Sequence, residues 1–255
     1  MIRARKRFGQ NFLEPAWVAK VLRAIDSRPD ETFLEIGPGR GALTRPLAQR
    51  AQSVVAVEID RDLASALRNT APPNVTVIEG DFLNADCGLR MAEFRVVGNL
   101  PYNVASPILF KLRDMRAAGL GIRDATVMLQ REVADRLTAE PGTREYGVLT
   151  VLLGHTAKIE RLLALPPGAF RPAPKVHSAL VRLTFHESNP AVRDAPTFEK
   201  LVRSVFTRRR KTLSNALQTV GPGARDALIR AGVDGRRRPE TLTVAEFARL
   251  SDALG

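Results

Sequence analysis

Thr32-Phe-Leu-Glu-Ile-Gly-Pro-Gly-Arg-Gly-Ala-Leu-Thr44 reads as a short apolar strand, a glycine-rich turn and the opening of a helix. The strand carries an acid, Glu35, near its end. Leu43, Leu47, Ala48 and Ala51 then recur at helical spacing. Pro46 falls in the first helical turn, where a missing N–H costs little. Glycines at such a turn let the main chain approach a bound cofactor closely. Many nucleotide-binding folds share this feature, so its meaning depends on what surrounds it.

Downstream, the same alternation repeats. Ser53 to Ile59, Val75 to Ile78, Phe94 to Val97 and Ala125 to Leu129 are strand-like, with helical patterns at Leu63 to Leu67, Ile108 to Met115 and Val133 to Leu137. Upstream, Val18, Val21, Leu22 and Ile25 mark a further helix. Strands alternating with helices predict a parallel sheet covered on both faces. Ile159 to Leu165 and Val176 to Phe185 flank the turn Pro166-Pro-Gly-Ala-Phe-Arg-Pro-Ala-Pro174 and are expected to form an antiparallel hairpin at the sheet edge. A polar linker, Glu187 to Pro196, then gives way to the helical stripe Phe198, Leu201, Val202, Val205, Phe206, Leu213 and Leu217. Thr243 is placed to cap a last helix with Glu246 three residues on. The expectation is an α/β, Rossmann-like domain over residues 1–186 and a small all-helical domain over 187–255.

Composition narrows the class. With 255 residues, 44% hydrophobic and 26% charged, the chain has the make-up of an ordinary globular protein. It has no apolar run of membrane-spanning length, and because no apolar stretch follows the basic N-terminus, no secretory leader is expected there. One cysteine, Cys87, and three scattered histidines provide neither a disulfide nor a metal-ligand set. Cys87, His155 and His186 are most simply structural or surface residues, and His177 is given no role. The formal net charge of +12 points to a phosphate-bearing partner. The arginine bias is equally compatible with a GC-rich genome.

Two acids sharpen the glycine turn. Glu58 lies 21 residues beyond Gly37, the offset at which an acid meets a ribose diol in doubly wound folds. Asp81 ends the third strand, where a carboxylate can accept from an adenine amine. The turn has neither Gly-Lys-Ser/Thr nor the dinucleotide spacing, which favours an adenosine cofactor without pyrophosphate, namely S-adenosylmethionine. The plainer alternative is that Glu58 and Asp81 only cap helices at the sheet rim.

The fourth strand ends in Gly98-Asn-Leu-Pro-Tyr102. An adenine amine is a poor nucleophile because its lone pair is delocalised into the ring. The Asn99 side-chain oxygen and the Leu100 carbonyl can accept its hydrogens. Pro101 holds Leu100 extended, and Tyr102 offers a stacking face. Catalysis would then be mainly alignment, with reacting atoms about 3–3.5 Å apart. Alternatively, the tetrapeptide is simply a rigid turn.

These stretches resemble the rRNA adenine N6,N6-dimethyltransferases of the KsgA (RsmA) type. The likeness runs in order through Arg7-Phe-Gly-Gln-Asn-Phe-Leu13, Leu34 to Thr44, Val57-Glu-Ile-Asp60, Gly80-Asp81 and Val97 to Asn103. It continues through Met128-Leu-Gln-Arg-Glu-Val133, Pro166 to Phe170 with Pro174-Lys-Val176, and Arg209-Arg-Lys-Thr-Leu213. The resemblance implies dimethylation of two adjacent adenosines near the 3′ end of 16S rRNA, with S-adenosylhomocysteine as by-product. It places Asn11, Leu13, Gly37, Glu58, Asp81 and Asn99 around the cofactor. It makes Phe170 a second aromatic wall for the base, opposite Tyr102, where the residues alone suggest a core anchor.

The expected partner is small-subunit rRNA within an immature 30S particle. The protein is expected to be monomeric and cytoplasmic, with no membrane association. Arg5, Lys6 and Arg7, the run Arg208, Arg209, Arg210 and Lys211, and Arg236 to Arg238 are the candidate phosphate contacts, the alternative for each cluster being a solvated face. The competing readings are a macrolide-resistance-type large-subunit methyltransferase, a DNA adenine methyltransferase, and an assembly factor whose binding dominates.

Overall fold

The structure is a computed structural model in which residues 5, 9–84, 93–219 and 223–254 are described. Lys6, Arg7 and Cys87 lie outside the described residues.

The chain divides into two compact units, one of residues 1–134 and 159–185, the other of 135–158 and 186–255. In the first unit the strands are β1 (Phe12–Leu13), β2 (Thr32–Ile36), β3 (Ser53–Glu58), β4 (Val75–Glu79), β5 (Phe94–Asn99), β6 (Ile122–Gln130), β7 (Ala157–Leu165, which starts in the other unit), β8 (Phe170–Arg171) and β9 (Ser178–Phe185). Seven form one sheet in the order β4-β3-β2-β5-β6-β9-β7. The first five are parallel, and β9 pairs antiparallel with β6. Helices α1 (Pro15–Ile25), α2 (Thr44–Ala48), α3 (Arg61–Arg68) and α4 (Ala105–Ala117) punctuate the strands, and α5 (Arg131–Leu137) follows β6. This is the Rossmann-like α/β arrangement.

The strands form because β-branched and aromatic residues run continuously where both sheet faces are covered. Phe33, Leu34, Val54, Ala56, Val96 and Val127 are all fully buried. The order reverses at β2, which has β3 on one side and β5 on the other. Ligands of open α/β sheets bind at such a switch point, beyond the carboxyl ends of the strands. At the opposite, N-terminal end of β5, buried Arg95 pairs with Glu31 at 2.9 Å and Asp124 at 2.8 Å and donates to the carbonyls of Ile25 and Asp26. Arg182 also donates to Ile25 and to Ala24. These arginines tie down the end of α1, whose start leads directly from β1.

The observed grouping also has a boundary at residues 185 and 186, but it differs from the expectation in where residues 135–158 belong. Residues 135–158 group with the C-terminal helices because α6 (Val148–Gly154) is an apolar helix with Val151, Leu152 and Leu153 buried. It packs on α7 (Ala195–Thr207). The remaining helices are α8 (Leu213–Ala216), α9 (Ala224–Ala231) and α10 (Val244–Asp252). The rings of Tyr146, Phe206 and Phe247 form the core, with centroids 6.2 and 5.8 Å apart. Buried His155 stacks on Phe198 at 4.4 Å and makes a 2.6 Å bond from Nε2 to the Pro190 carbonyl. Thr243 caps α10, accepting from the Glu246 N–H, while the Glu246 carboxylate accepts from the Thr243 N–H.

Candidate active site

The carboxyl ends of β2, β3, β4 and β5 surround two adjoining cavities of about 80 and 140 Å³. Gly37, Ile59 and Pro101 line both. Two glycines are required by close approach. A Cβ on Gly39, at φ +59°, would lie 3.1 Å from the Phe12 ring. One on Gly98 would lie 2.6 Å from the Ile36 carbonyl oxygen of the neighbouring strand. The glycine turn is therefore packed against the Phe12 ring, and the end of β5 against β2, with no room for a side chain at either.

Glu58 is 4% exposed and accepts two main-chain N–H groups, from Gly39 at 2.8 Å and Asp60 at 2.9 Å. Burial raises its pKa, those two bonds oppose the rise, and the charge of Asp60 adds to it. Each carboxylate oxygen has a second lone pair. Glu58 thus fixes the glycine turn and retains capacity for ribose hydroxyls.

Glu35 is the residue sequence reasoning noted without assigning. It is 2% exposed, lines the smaller cavity, and its Oε2 has no hydrogen-bond partner among the described residues. Burial, with the nearby charge of Glu58, pushes its carboxyl up to about 7. A buried carboxylate with an oxygen left unpartnered is costly unless a donor or a cation meets it. An ammonium group could meet it there.

Asp81 lines the larger cavity with Phe82, Leu83 and Ile59. Its oxygens accept from the Leu83 N–H at 2.9 Å and the Asn84 side chain at 2.7 Å, so it also builds its own turn. Lys111 on α4 clamps that turn from behind, donating to the carbonyls of Phe82 at 2.6 Å and Leu83 at 3.1 Å. Ile59 is 44% exposed although apolar, an uncovered surface suited to a flat ring.

At the end of β5, Asn99 donates its side-chain amide to the main-chain oxygen of Asn11 at 2.5 Å. Asn11 in turn donates its side chain to the Gly9 carbonyl. Asn11, Leu13 and Asn99 all line the smaller cavity. Leu100 is 1% exposed and its N–H donates to Met128. Tyr102 is half-buried and its hydroxyl bonds Ser178 Oγ on β9 at 2.8 Å. Burial raises the phenol pKa, so it stays neutral near pH 7.

Four expectations need correction. Phe170 is 1% exposed, a core residue opposite Leu13 in the β1–β8 ribbon and packed with Leu165 and Ala169. Buried this way it presents no free face to a base. Arg5 ion-pairs with Asp60 at 3.0 Å and with Asp62, so its charge is already neutralised. Arg209 donates to the carbonyls of Arg144 at 2.6 Å and Thr143 at 2.9 Å and sits 3.7 Å from Glu240. Arg208, Arg210 and Lys211 are exposed, and the whole run lines a separate hollow of about 480 Å³ with Asn215 and Gln218. Of the last cluster, Arg237 is held by Glu246 and Arg236 by Asp234.

Among the described residues no group of three or more His, Cys, Asp or Glu could hold a metal, and no helix is long and apolar enough to cross a membrane.

Comparison with known proteins shows the family. A family model described as ribosomal RNA adenine dimethylase matches residues 1–255. Proteins named ribosomal RNA small subunit methyltransferase A are similar at 46% identity in Acinetobacter baylyi, covering 99% of this chain and 93% of the relative. The one from Aromatoleum aromaticum is 45% identical over 99% and 94%. A dimethyladenosine transferase from Plasmodium falciparum superposes with TM-score 0.77 at 25% identity, covering 94% and 95%. The 23S rRNA methyltransferase ErmE superposes with TM-score 0.70 at 32% identity, covering 96% and 99%.

Proposed function

The chain belongs to the ribosomal RNA adenine dimethylase family, and from that premise we propose that its cleft dimethylates N6 of two adjacent adenosines near the 3′ end of small-subunit rRNA. It is an rRNA adenine dimethyltransferase acting on 16S rRNA. The two small-subunit methyltransferases named above are 45 and 46% identical to it, the large-subunit enzyme ErmE 32%, which favours the small-subunit substrate.

S-adenosylmethionine, when bound, supplies an electrophilic methyl group on a sulfonium. Glu58 and the glycine turn would hold its ribose, Asp81 and Ile59 its adenine, and Glu35 its ammonium. The observation that carries the reading is the orientation of Asn99. Because its Nδ2 is committed to the Asn11 carbonyl, its Oδ1 is left to accept from an amine. A base amine held by Asn99 Oδ1 and the Leu100 carbonyl has its lone pair turned out of conjugation toward the methyl donor. Pro101 keeps Leu100 extended. Ser178 fixes the Tyr102 hydroxyl, and with it the ring against which the base stacks. No residue need act as general base, since the methylated amine becomes acidic and sheds its proton to water.

Rigid placement is thus the main contribution of the protein. The target adenosine has to be splayed out of its stack to reach the cleft. The enzyme acts as a monomer on an immature 30S particle in the cytoplasm, with Arg208, Arg210 and Lys211 meeting phosphates. The test is to incubate it with labelled S-adenosylmethionine and, separately, unmethylated immature small subunits, large-subunit rRNA and DNA. Label in the small-subunit RNA is expected; label only in large-subunit RNA or DNA would contradict the substrate assignment.

A further inference from the structure

Asp60 is fully buried, with 0% exposure, and directly follows Glu58 and Ile59, which line the cofactor cleft with Asn99. It caps α3, accepting from the Asp62 N–H at 3.1 Å. A cap needs one acceptor, which a neutral Asn or Ser supplies equally well. Burying a charge for that purpose alone would be wasteful, because taking an ion out of water is costly. The remaining acceptor capacity explains the carboxylate. Asp60 Oδ1 also takes Arg5 Nη1 at 3.0 Å, and Oδ2 takes Gln10 Nε2 at 3.0 Å. Gln10 is held at its other end too, its Oε1 accepting from the Arg5 N–H at 2.8 Å.

The residue after Gln10 is Asn11, whose carbonyl orients the Asn99 amide. Beyond it the chain enters β1, where Leu13 pairs with Phe170 and the Glu14 N–H donates to Ala169. The segment Gly9 to Leu13 is therefore anchored at both ends, by Asp60 at the start and by β8 at the finish. The Asn11 carbonyl lies between the anchors.

We infer that Asp60 is a positioning residue for methyl transfer, acting through Gln10 and the Asn11 carbonyl to hold the Asn99 amide in its accepting orientation. This rests on the role proposed for Asn99. Without the Asp60 tether the segment is fixed at one end only. Displacements of about 1 Å at a catalytic group cost up to 100-fold in rate, so a loosened segment should show itself in kcat.

The experiment is a double-mutant cycle with Asp60→Asn, Gln10→Leu and both together. Methylation of unmethylated small subunits is measured at saturating cofactor and RNA, so that losses of binding do not enter. Hydrogen exchange of residues 9–13 is followed in parallel. Gln10→Leu leaves Asp60 in place as the cap of α3, which keeps the test independent of that helix folding. Each single variant should lower kcat by about tenfold, and the double variant should be no slower than the worse single, because both cut one tether. Exchange at residues 9–13 should rise in all three. Factors that multiply in the double variant, or a Gln10→Leu enzyme with wild-type kcat or wild-type exchange at residues 9–13, would overturn the inference. If Asn99→Ala kept full activity, the role of Asn99 would fail instead, a result this cycle does not produce.

Discussion

The side-chain amide of Asn99 donates to the main-chain carbonyl of Asn11, 88 residues away in sequence, at 2.5 Å. This bond decides which end of the amide faces the cleft, and with it whether the site accepts or donates hydrogen bonds at the target amine. Asn99→Ala should lower kcat by about 100-fold or more, the scale seen when an oriented polar group is removed from a reacting centre. Single-turnover methylation with a parallel thermal melt checks this, the melt being expected to stay close to wild type.

Glu35 makes the site pH-sensitive. Its pKa in the folded protein, about 7, lies above the ordinary value of 4.5. A raised carboxyl pKa means that the native state holds the proton more tightly than the unfolded chain. The resulting stabilisation is fully present below about pH 4.5 and is lost as pH rises through about 7. Cofactor-free wild type should therefore lose stability relative to Glu35→Gln between pH 5 and pH 7.5. S-adenosylhomocysteine, which carries the ammonium, should bind wild type more tightly as pH rises through 7, whereas 5′-methylthioadenosine, which lacks it, should not. Calorimetric titrations across that range provide the measurement.

The four cations from Arg208 to Lys211 do not form one functional set. Arg209 fastens the 143–144 main chain, while Arg208, Arg210 and Lys211 face solvent. Substituting any of those three by Ala should weaken RNA binding and reduce the salt slope by roughly 0.7–1 each. Arg209→Ala should instead lower the melting temperature and leave the salt slope unchanged. Filter binding at several salt concentrations separates the two outcomes.

Phe170 was expected at the base, and the structure puts it in the core. Phe170→Ala should cost about 3–5 kcal/mol of stability, as for other buried aromatics. Chemical denaturation measures it. An unchanged midpoint would return Phe170 to the surface and to the role of base wall.

The sheet was legible because its strands are short apolar runs separated by helical periodicity. Thr32 to Ile36 and the start of each later strand could be read to within a few residues. The acids of the site could be located as well, since Glu58 and Asp81 stand at strand ends. What could not be read were contacts between distant segments. Nothing in Phe12-Leu13 announces a two-residue strand paired with Phe170-Arg171, and that pairing is what buries Phe170. Likewise Arg5 and Arg209 look like their neighbours in a basic run, and only the fold reveals that Asp60 and the Thr143 and Arg144 carbonyls have claimed them. Residues 135–158 carry no composition shift, so their grouping with the C-terminal helices was invisible without α6 and α7 side by side.

The most direct test of the central claim is mass mapping of small-subunit rRNA after reaction with wild type and with Asn99→Ala. Wild type should place two methyl groups on each of two adjacent adenosines near the 3′ end, and the variant should leave them unmodified. Methylation by the variant at the wild-type rate, or methyl groups at any other base, would contradict it.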